Sequence, residues 1–140
     1  MDEATHHKGK TVLVAVNDIF FYVKLRDALR AGGYTIERAR TQDEVPAKAQ
    51  ALRPAALVLN MNDPAVDGLQ ALAQLKAQAS PHALPILAFA NHEEVETWQR
   101  AKELGVTKIV SRNEFSARTK DLVDEVITGE KTKHDTIPTA

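Results

Sequence analysis

The sequence contains no cysteine, so it forms no disulfide framework and has no thiol chemistry. Its 18 basic and 19 acidic residues nearly cancel, which gives no electrostatic reason to expect a nucleic acid or an anionic membrane as a partner. No apolar run approaches the roughly 20 residues that a bilayer-spanning helix needs. The polar start over residues 1–10 does not resemble a secretory signal. These absences predict a cytoplasmic protein.

Motifs of the common nucleotide-dependent enzymes are also absent. No Gly-x-Gly-x-x-Gly or Gly-Lys-Ser/Thr loop follows the first apolar run, and no Ser-His-Asp or paired-carboxylate arrangement can be assembled. The pair His6-His7 has no further metal-ligating residues near it in the sequence. We therefore expect no enzymatic activity, no cofactor and no metal site.

The 140 residues are enough for one domain with a substantial core. Short apolar runs predict five strands, and segments with helical spacing follow each of them. The strands are expected at 11–16, 34–39, 55–61, 85–90 and 107–111, and the helices at 20–31, 43–52, 68–79, 93–104 and 115–127. Five such units in succession predict a doubly wound α/β domain with a parallel sheet between two helical layers. It should span 11–128, with flexible ends at 1–10 and 129–140.

The most informative segment is residues 57–68, Leu-Val-Leu-Asn-Met-Asn-Asp-Pro-Ala-Val-Asp-Gly. It resembles the phosphoacceptor strand and loop of the receiver domains of bacterial response regulators. Leu-Arg-Asp-Ala-Leu at 25–29, Gly33-Tyr34 and Ala-Lys-Glu-Leu-Gly-Val at 101–106 extend the resemblance over most of the chain. It implies a flavodoxin-like (CheY-like) three-layer fold with strand order 2-1-3-4-5, acting in two-component phosphorelay signalling.

The resemblance also implies that the phosphorylation site has changed. Asn60 stands where receivers carry the acceptor aspartate, and a neutral amide is a very poor nucleophile. Ala90 replaces a hydroxyl residue and cannot donate a hydrogen bond to a phosphoryl group. Arg112 replaces the lysine and keeps its charge on a planar fork, while Asn113 replaces the proline after it. The chain therefore resembles an atypical receiver, a pseudo-receiver without its phosphoacceptor.

The acidic pair of receivers can be aligned in two registers. A gapless register, which we favour, places Val16 and Asn17 on the two aspartates, whereas a slide by one residue places Asn17 and Asp18 there. In both registers at most Asp18 supplies a carboxylate, and protein-bound Mg²⁺ usually depends on one or two carboxylates plus phosphate oxygens. The degenerate receiver pocket comprises Val16, Asn17, Asp18, Asn60, Asn62, Ala90 and Arg112.

Local structural roles are the simplest interpretation of several of these residues. Asn60 is expected to hydrogen-bond nearby backbone, and Arg112 to pair with Asp18 or with carbonyl groups. Asp67-Gly68 is typical of a turn that caps a helix. Trp98 is expected in the core, on one helical stripe with Val95, Ala101 and Leu104.

Two functions remain open from the sequence. The first is a stand-alone atypical receiver that acts through phosphorylation-independent contacts with a signalling protein. The second is a small-molecule or anion binding module that uses the vacated pocket, since amides and one guanidinium suit a carboxylate or phosphate group. Its lining would be Asn17, Asn60, Asn62, Asn91 and Arg112.

A candidate interaction face follows from the resemblance. In receivers the fourth helix, fifth strand and fifth helix contact partners or a second copy. Phe115, Leu122 and Val126 suffice as the core stripe of the fifth helix, so further apolar residues there predict an exposed patch. We expect self-association or partner docking through Trp98, Ile109, Val123 and Ile127.

Overall fold

The computed structural model describes residues 10–78 and 84–129. The flexible ends expected at 1–10 and 129–140 lie outside the described residues, except for Lys10 and Gly129. Residue 79, the predicted end of the third helix, also lies outside them. The elements are β1 Thr11–Ala15, α1 Ile19–Ala31, β2 Thr35–Arg38, α2 Glu44–Leu52, β3 Ala56–Asn60, α3 Gly68–Ala77, β4 Ile86–Ala90, α4 Val95–Glu103, β5 Lys108–Ser111, α5 Arg112–Ala117 and α6 Thr119–Thr128.

The five strands form one parallel sheet in the order β2-β1-β3-β4-β5, so the predicted fold class is confirmed. Strands β3 and β4 are buried along their whole length because helices cover both faces of the sheet. Residues of α1, α5 and α6 pack on one face, and residues of α2, α3 and α4 pack on the other. None of the helices in the described part of the chain is long and apolar enough to cross a membrane.

Aromatic rings fill the layer between the sheet and α1. Phe89 of β4 stacks on Phe115 of α5 with ring centroids 4.5 Å apart, and Phe21 of α1 lies 5.2 Å from Phe89. Phe89 and Phe115 are fully buried. Burial of such large side chains contributes roughly 1.5 to 3 kcal/mol each, so this cluster fixes α1 and α5 on the sheet beside the carboxyl end of β4.

The predicted fifth helix is two helices, and the expectation of one continuous helix over 115–127 is wrong. Ser111 begins α5 early because its hydroxyl accepts a hydrogen bond from the Glu114 amide at 3.0 Å. The backbone then leaves helical geometry at Arg118, with φ −132° and ψ 37°. The Arg118 side chain spans this break, because its guanidinium binds Glu114 at 2.9 Å and the buried Glu125 at 2.5 Å.

A polar contact joins β2 to α6 at the opposite end of the domain. The buried Tyr34 hydroxyl, just before β2, donates a hydrogen bond to Asp124, which also pairs with Lys120 at 2.7 Å. Burial, followed by the hydrogen bond to Asp124, raises the pKa of Tyr34 above its usual value of 10.0. The hydrogen bond to Asp124 likewise raises the pKa of Lys120. Both groups are therefore held in their protonated forms by the folded state.

We expect alkaline pH to destabilise the fold through Tyr34. Above about pH 10 the unfolded chain releases the tyrosine proton while the folded chain keeps it, so the free energy of unfolding falls as pH rises. In Tyr34→Phe this part of the decline is lost, and the variant is less stable than wild type by about 1 kcal/mol at pH 7. Urea unfolding between neutral and alkaline pH measures both effects.

Lys120 leaves a residual alkaline decline in Tyr34→Phe, because its raised pKa acts in the same direction. Tyr22→Phe is the control, since the Tyr22 hydroxyl has no hydrogen bond to any described residue. An identical pH dependence of unfolding in wild type and Tyr34→Phe would contradict the assignment.

Candidate functional site

The carboxyl ends of the strands bring four loops to one edge of the sheet. In a doubly wound sheet this edge, next to the point where strand order reverses, is where ligands bind. Here β1 lies between β2 and β3, so the reversal falls at β1 and β3. Hydrogen bonds link the loops after these strands to one another and to the loop after β4, while an ion pair links the start of α5 to the start of α1. The structure thus brings the predicted pocket residues together.

The side chain of Val16, the first residue after β1, contributes only hydrocarbon to the site. It is fully buried with Val12 and Val14 in the core beneath α1. The register pairs Ala15 with Leu59, which places Val16 beside Asn60 on the neighbouring strand. An apolar side chain therefore stands beside Asn60, the residue that the resemblance places at the acceptor position.

Asp63 is the central polar residue of the site, although it is not among the predicted pocket residues. Its buried carboxylate accepts three hydrogen bonds: from the Asn17 backbone N–H at 2.7 Å, the Asn17 amide group at 3.1 Å and the Ala65 N–H at 2.8 Å. The Asn17 amide also donates to the Arg40 carbonyl at 3.3 Å. We call the two hydrogen bonds from Asn17 to the Asp63 carboxylate the Asp63–Asn17 bridge. This bridge ties the loop after β1 to the loop after β3. In the sequence, the only local sign of this role is that an aspartate in a turn can accept the backbone N–H two residues on, as Asp63 does from Ala65.

A second contact ties the loop after β3 to the loop after β4. Asn60 is buried and its side-chain oxygen accepts the Asn62 N–H at 2.9 Å, which confirms its expected bond to nearby backbone. Asn62 in turn accepts the Asn91 N–H at 2.9 Å and donates to Glu94 at 2.8 Å. Trp98 donates its indole N–H to the Asn91 carbonyl at 3.0 Å. Glu94 was not among the predicted site residues.

Arg112 and Asp18 pair across the edge of the site, as expected. The guanidinium lies 3.2 Å from the Asp18 carboxylate and stacks 4.4 Å from the Phe21 ring centroid. Asp18 also caps α1, because its other oxygen accepts the Phe20 and Phe21 N–H groups. Both charged side chains are partly exposed, so the ion pair itself contributes at most about 1 kcal/mol. The pair connects the start of α5 to the start of α1.

The residues present do not fit a divalent cation. Asp18 is engaged by Arg112 and by two amides, and Asp63 already accepts three N–H groups. Across residues 10–78 and 84–129, no three histidine, cysteine, aspartate or glutamate side chains are grouped to hold a metal ion. Ala90 is buried at the same edge and offers a methyl group. The site is held by hydrogen bonds between protein atoms.

Asp67 has the structural role that its sequence context predicts. Its carboxylate accepts the Gln70 N–H at 3.1 Å and so caps α3. Gly68 follows because a side chain there would collide with Met61, whose sulfur lies 2.8 Å from the position that a Cβ would take. This close approach fixes the start of α3 against the loop after β3.

The predicted interaction face is not an exposed apolar patch. Val123 is expected in an exposed patch but has no exposed surface in the structure, and Ile109 is 8% exposed. Ile127 and Trp98 are partly buried and pack against the core. The physical reason is that α6 contacts α1 as well as β3 and β4, so it needs a wider apolar stripe than a helix that covers only the sheet. The placement of Val95 in the core is also wrong, since it is 61% exposed.

Comparison with known proteins shows that this chain is similar to proteins of bacterial signalling. A protein-glutamate methylesterase/protein-glutamine glutaminase from Caldanaerobacter subterraneus subsp. tengcongensis is 32% identical over 120 residues, which are 83% of this chain and 32% of the relative. The chain thus spans about a third of that protein's length.

Two solved structures share the fold. The chemotaxis response regulator CheY4 of Vibrio cholerae is 25% identical with a TM-score of 0.69, over 81% of this chain and 98% of that one. The receiver domain of a sensor histidine kinase from Pseudomonas aeruginosa PAO1, with magnesium coordinated in its active site cleft, is 18% identical with a TM-score of 0.75, over 86% of this chain and 98% of that one.

The family follows from the extent of the match as well as from the fold. Residues 12–124 match the sequence model of the response regulator receiver domain, from β1 into α6. This range includes all four loops of the site described above. The chain belongs to the response regulator receiver domain family.

Proposed function

We propose that this chain is an atypical receiver domain of a two-component system that acts through protein contacts without being phosphorylated. The observation that carries the proposal is the hydrogen bonding of the loops at the carboxyl edge of the sheet. The Asp63–Asn17 bridge and the contacts of Asn62 occupy the polar groups that would otherwise receive a metal ion or a phosphoryl group. The proposal assigns the chain no catalytic activity.

The acceptor position explains why phosphoryl transfer would fail. Transfer to a receiver needs an anionic oxygen that attacks phosphorus, and the Asn60 amide is neutral. Its oxygen also already accepts the Asn62 N–H. The nearby carboxylates have other partners: Asp63 binds three N–H groups, Asp67 caps α3 and Asp18 pairs with Arg112. Each of these three carboxylates is therefore already engaged by protein groups and is not free to replace the missing acceptor.

The same contacts weaken the case for a small-molecule or anion site. Asn17 and Asn62 donate their amide N–H groups to carboxylates of the protein, and Arg112 is partly neutralised by Asp18. An anion would have to displace these partners. We therefore favour a protein-binding role, in which the partner is a signalling protein that recognises a receiver held in one state.

We expect acetyl phosphate with Mg²⁺ to leave the mass of the wild-type protein unchanged. Asn60→Asp alone also stays unphosphorylated, because Ala90 gives no hydroxyl and Val16 gives no carboxylate beside the restored acceptor. Intact-mass spectrometry measures both results, with a phosphorylatable receiver as the positive control. A gain of one phosphoryl group in wild type, or robust labelling of Asn60→Asp, would contradict the proposal.

Partner capture from the native cell tests the interaction itself. The same signalling protein should bind wild type and Asn60→Ala, with and without acetyl phosphate in the lysate. The alanine variant keeps the neutral charge of the position while it removes the bond to Asn62. Binding that appears only with the phosphodonor would overturn phosphorylation independence.

We expect thermal stability to be indifferent to Mg²⁺. A ligand present well below its dissociation constant adds almost nothing to the free energy of unfolding, and the described residues give Mg²⁺ no carboxylate cluster. Melting temperatures with a few millimolar MgCl₂ should match those in NaCl of equal ionic strength. A rise of several degrees specific to Mg²⁺ would show a cation site and contradict the assignment.

A further inference from the structure

The most exposed large apolar side chain of the described residues lies at the start of α1. Phe20 is 85% exposed and its neighbour Ile19 is 51% exposed, whereas Phe21 packs in the buried aromatic cluster. Asp18 fixes this first turn by capping the helix, so Phe20 projects from an ordered backbone. An isolated exposed phenylalanine is unremarkable, but this one begins a longer pattern on the same helix.

Four exposed residues form a line along the outer side of α1. Phe20, Lys24, Asp27 and Ala31 are all exposed and are separated by four, three and four residues. This is the spacing that keeps side chains on one seam of paired helices. The seam spans about 16 Å at the helical rise of 1.5 Å per residue. We call these four residues the α1 seam.

The charges of the α1 seam complement one another between copies. Lys24 forms no ion pair with any described residue, and the Asp27 side chain is 65% exposed with Arg26, its neighbour in the chain, as its ion-pair partner. When two α1 helices pack antiparallel about a two-fold axis between positions 25 and 26, Lys24 faces Asp27 of the other copy, twice. The same axis places Phe20 opposite Ala31, so that a large side chain meets a small one at each end.

We propose that the α1 seam is a self-association surface whose occupant is a second copy of this chain, with the two α1 helices antiparallel. The same two-fold axis pairs Lys24 with Asp27 and Phe20 with Ala31 of the other copy. This self-complementarity favours a second copy of the chain over an unrelated partner. The surface differs from the predicted face around Ile109 and Val123, which is buried. It also goes beyond the proposed function, because a receiver that is phosphorylated could carry the same seam.

A single short helix pair buries less than the roughly 800 Å² per partner of a standard stable interface. We therefore expect a weak dimer, with a dissociation constant in the micromolar to submillimolar range, on the order of 10 to 500 μM. The charge pairs should make its association weaken as salt is raised.

The test is sedimentation equilibrium of the full chain and five variants. Phe20→Glu removes the apolar end of the seam, and Lys24→Asp or Asp27→Lys gives two like-charge contacts across the axis. The double variant Lys24→Asp/Asp27→Lys reverses both charges and restores attraction. Lys102→Asp on α4 is the matched control, since Lys102 is exposed and unpaired with any described residue. Far-ultraviolet circular dichroism and melting confirm that each variant is folded.

We expect Phe20→Glu and each single charge reversal to weaken dimerisation by about tenfold or more, from the loss of two exposed charge pairs or the apolar contact. The double variant and Lys102→Asp should associate like wild type. An equimolar mixture of Lys24→Asp with Asp27→Lys should form heterodimers, because every facing pair is then opposite in charge.

Three results would overturn the proposal. The first is a wild-type chain that stays monomeric at about 1 mM, which is twice the upper limit of the expected dissociation constant. The second is a Phe20→Glu variant that dimerises like wild type. The third is a double variant, or a mixture of the single reversals, that dimerises no more strongly than the single reversals alone. The last result would place the charged residues outside the interface or in a different arrangement. Phosphorylation of wild type by acetyl phosphate would leave this proposal standing and refute the proposed function alone.

Discussion

The arrangement of the site depends on one buried carboxylate. Asp63 accepts N–H groups from Asn17 and Ala65, so a single side chain joins the loop after β1 to the loop after β3. These loops flank the reversal of strand order, where the sheet leaves room for a ligand. Hydrogen bonds to a charged acceptor contribute about 1.5 to 3 kcal/mol each, and an unpaired carboxylate here would be costly. The carboxylate and its donors therefore stabilise each other, and these hydrogen bonds fix the two loops.

The remaining contacts extend this fixed edge across the sheet. Asn62 connects the loop after β3 to Asn91 and Glu94, and Arg112 connects the start of α5 to Asp18 at the start of α1. Beneath them, the stacked rings of Phe89 and Phe115 hold β4 and α5 in place. Polar contacts above a tightly packed aromatic layer leave the edge little freedom to rearrange, because packed interiors transmit strain and resist deformation. Under the proposed function, this rigidity is what holds the receiver in one state.

Much of this structure could be predicted from periodicity and from residue chemistry. The strand order, the local hydrogen bond of Asn60, the Arg112–Asp18 pair and the Asp67 cap follow from local patterns and from a resemblance that covers most of the chain. The role of Asp63 could not, because its donors on Asn17 lie 46 residues away in the sequence. The burial of Val123 and the break at Arg118 depend on how α6 packs against α1, which no pattern within one helix reports.

The Asp63–Asn17 bridge also has a consequence for how such a domain is governed in the cell. The bridge joins the Asp63 carboxylate to the backbone and side-chain N–H groups of Asn17, so it forms as the chain folds and requires no added group. A phosphorylated receiver records recent kinase activity in a bond that decays. Under the proposed function, the conformation of this domain does not change with kinase activity. Its effect on a partner then depends on how many copies of the domain are present. Control then passes from the chemistry of one site to the synthesis and degradation of the whole chain.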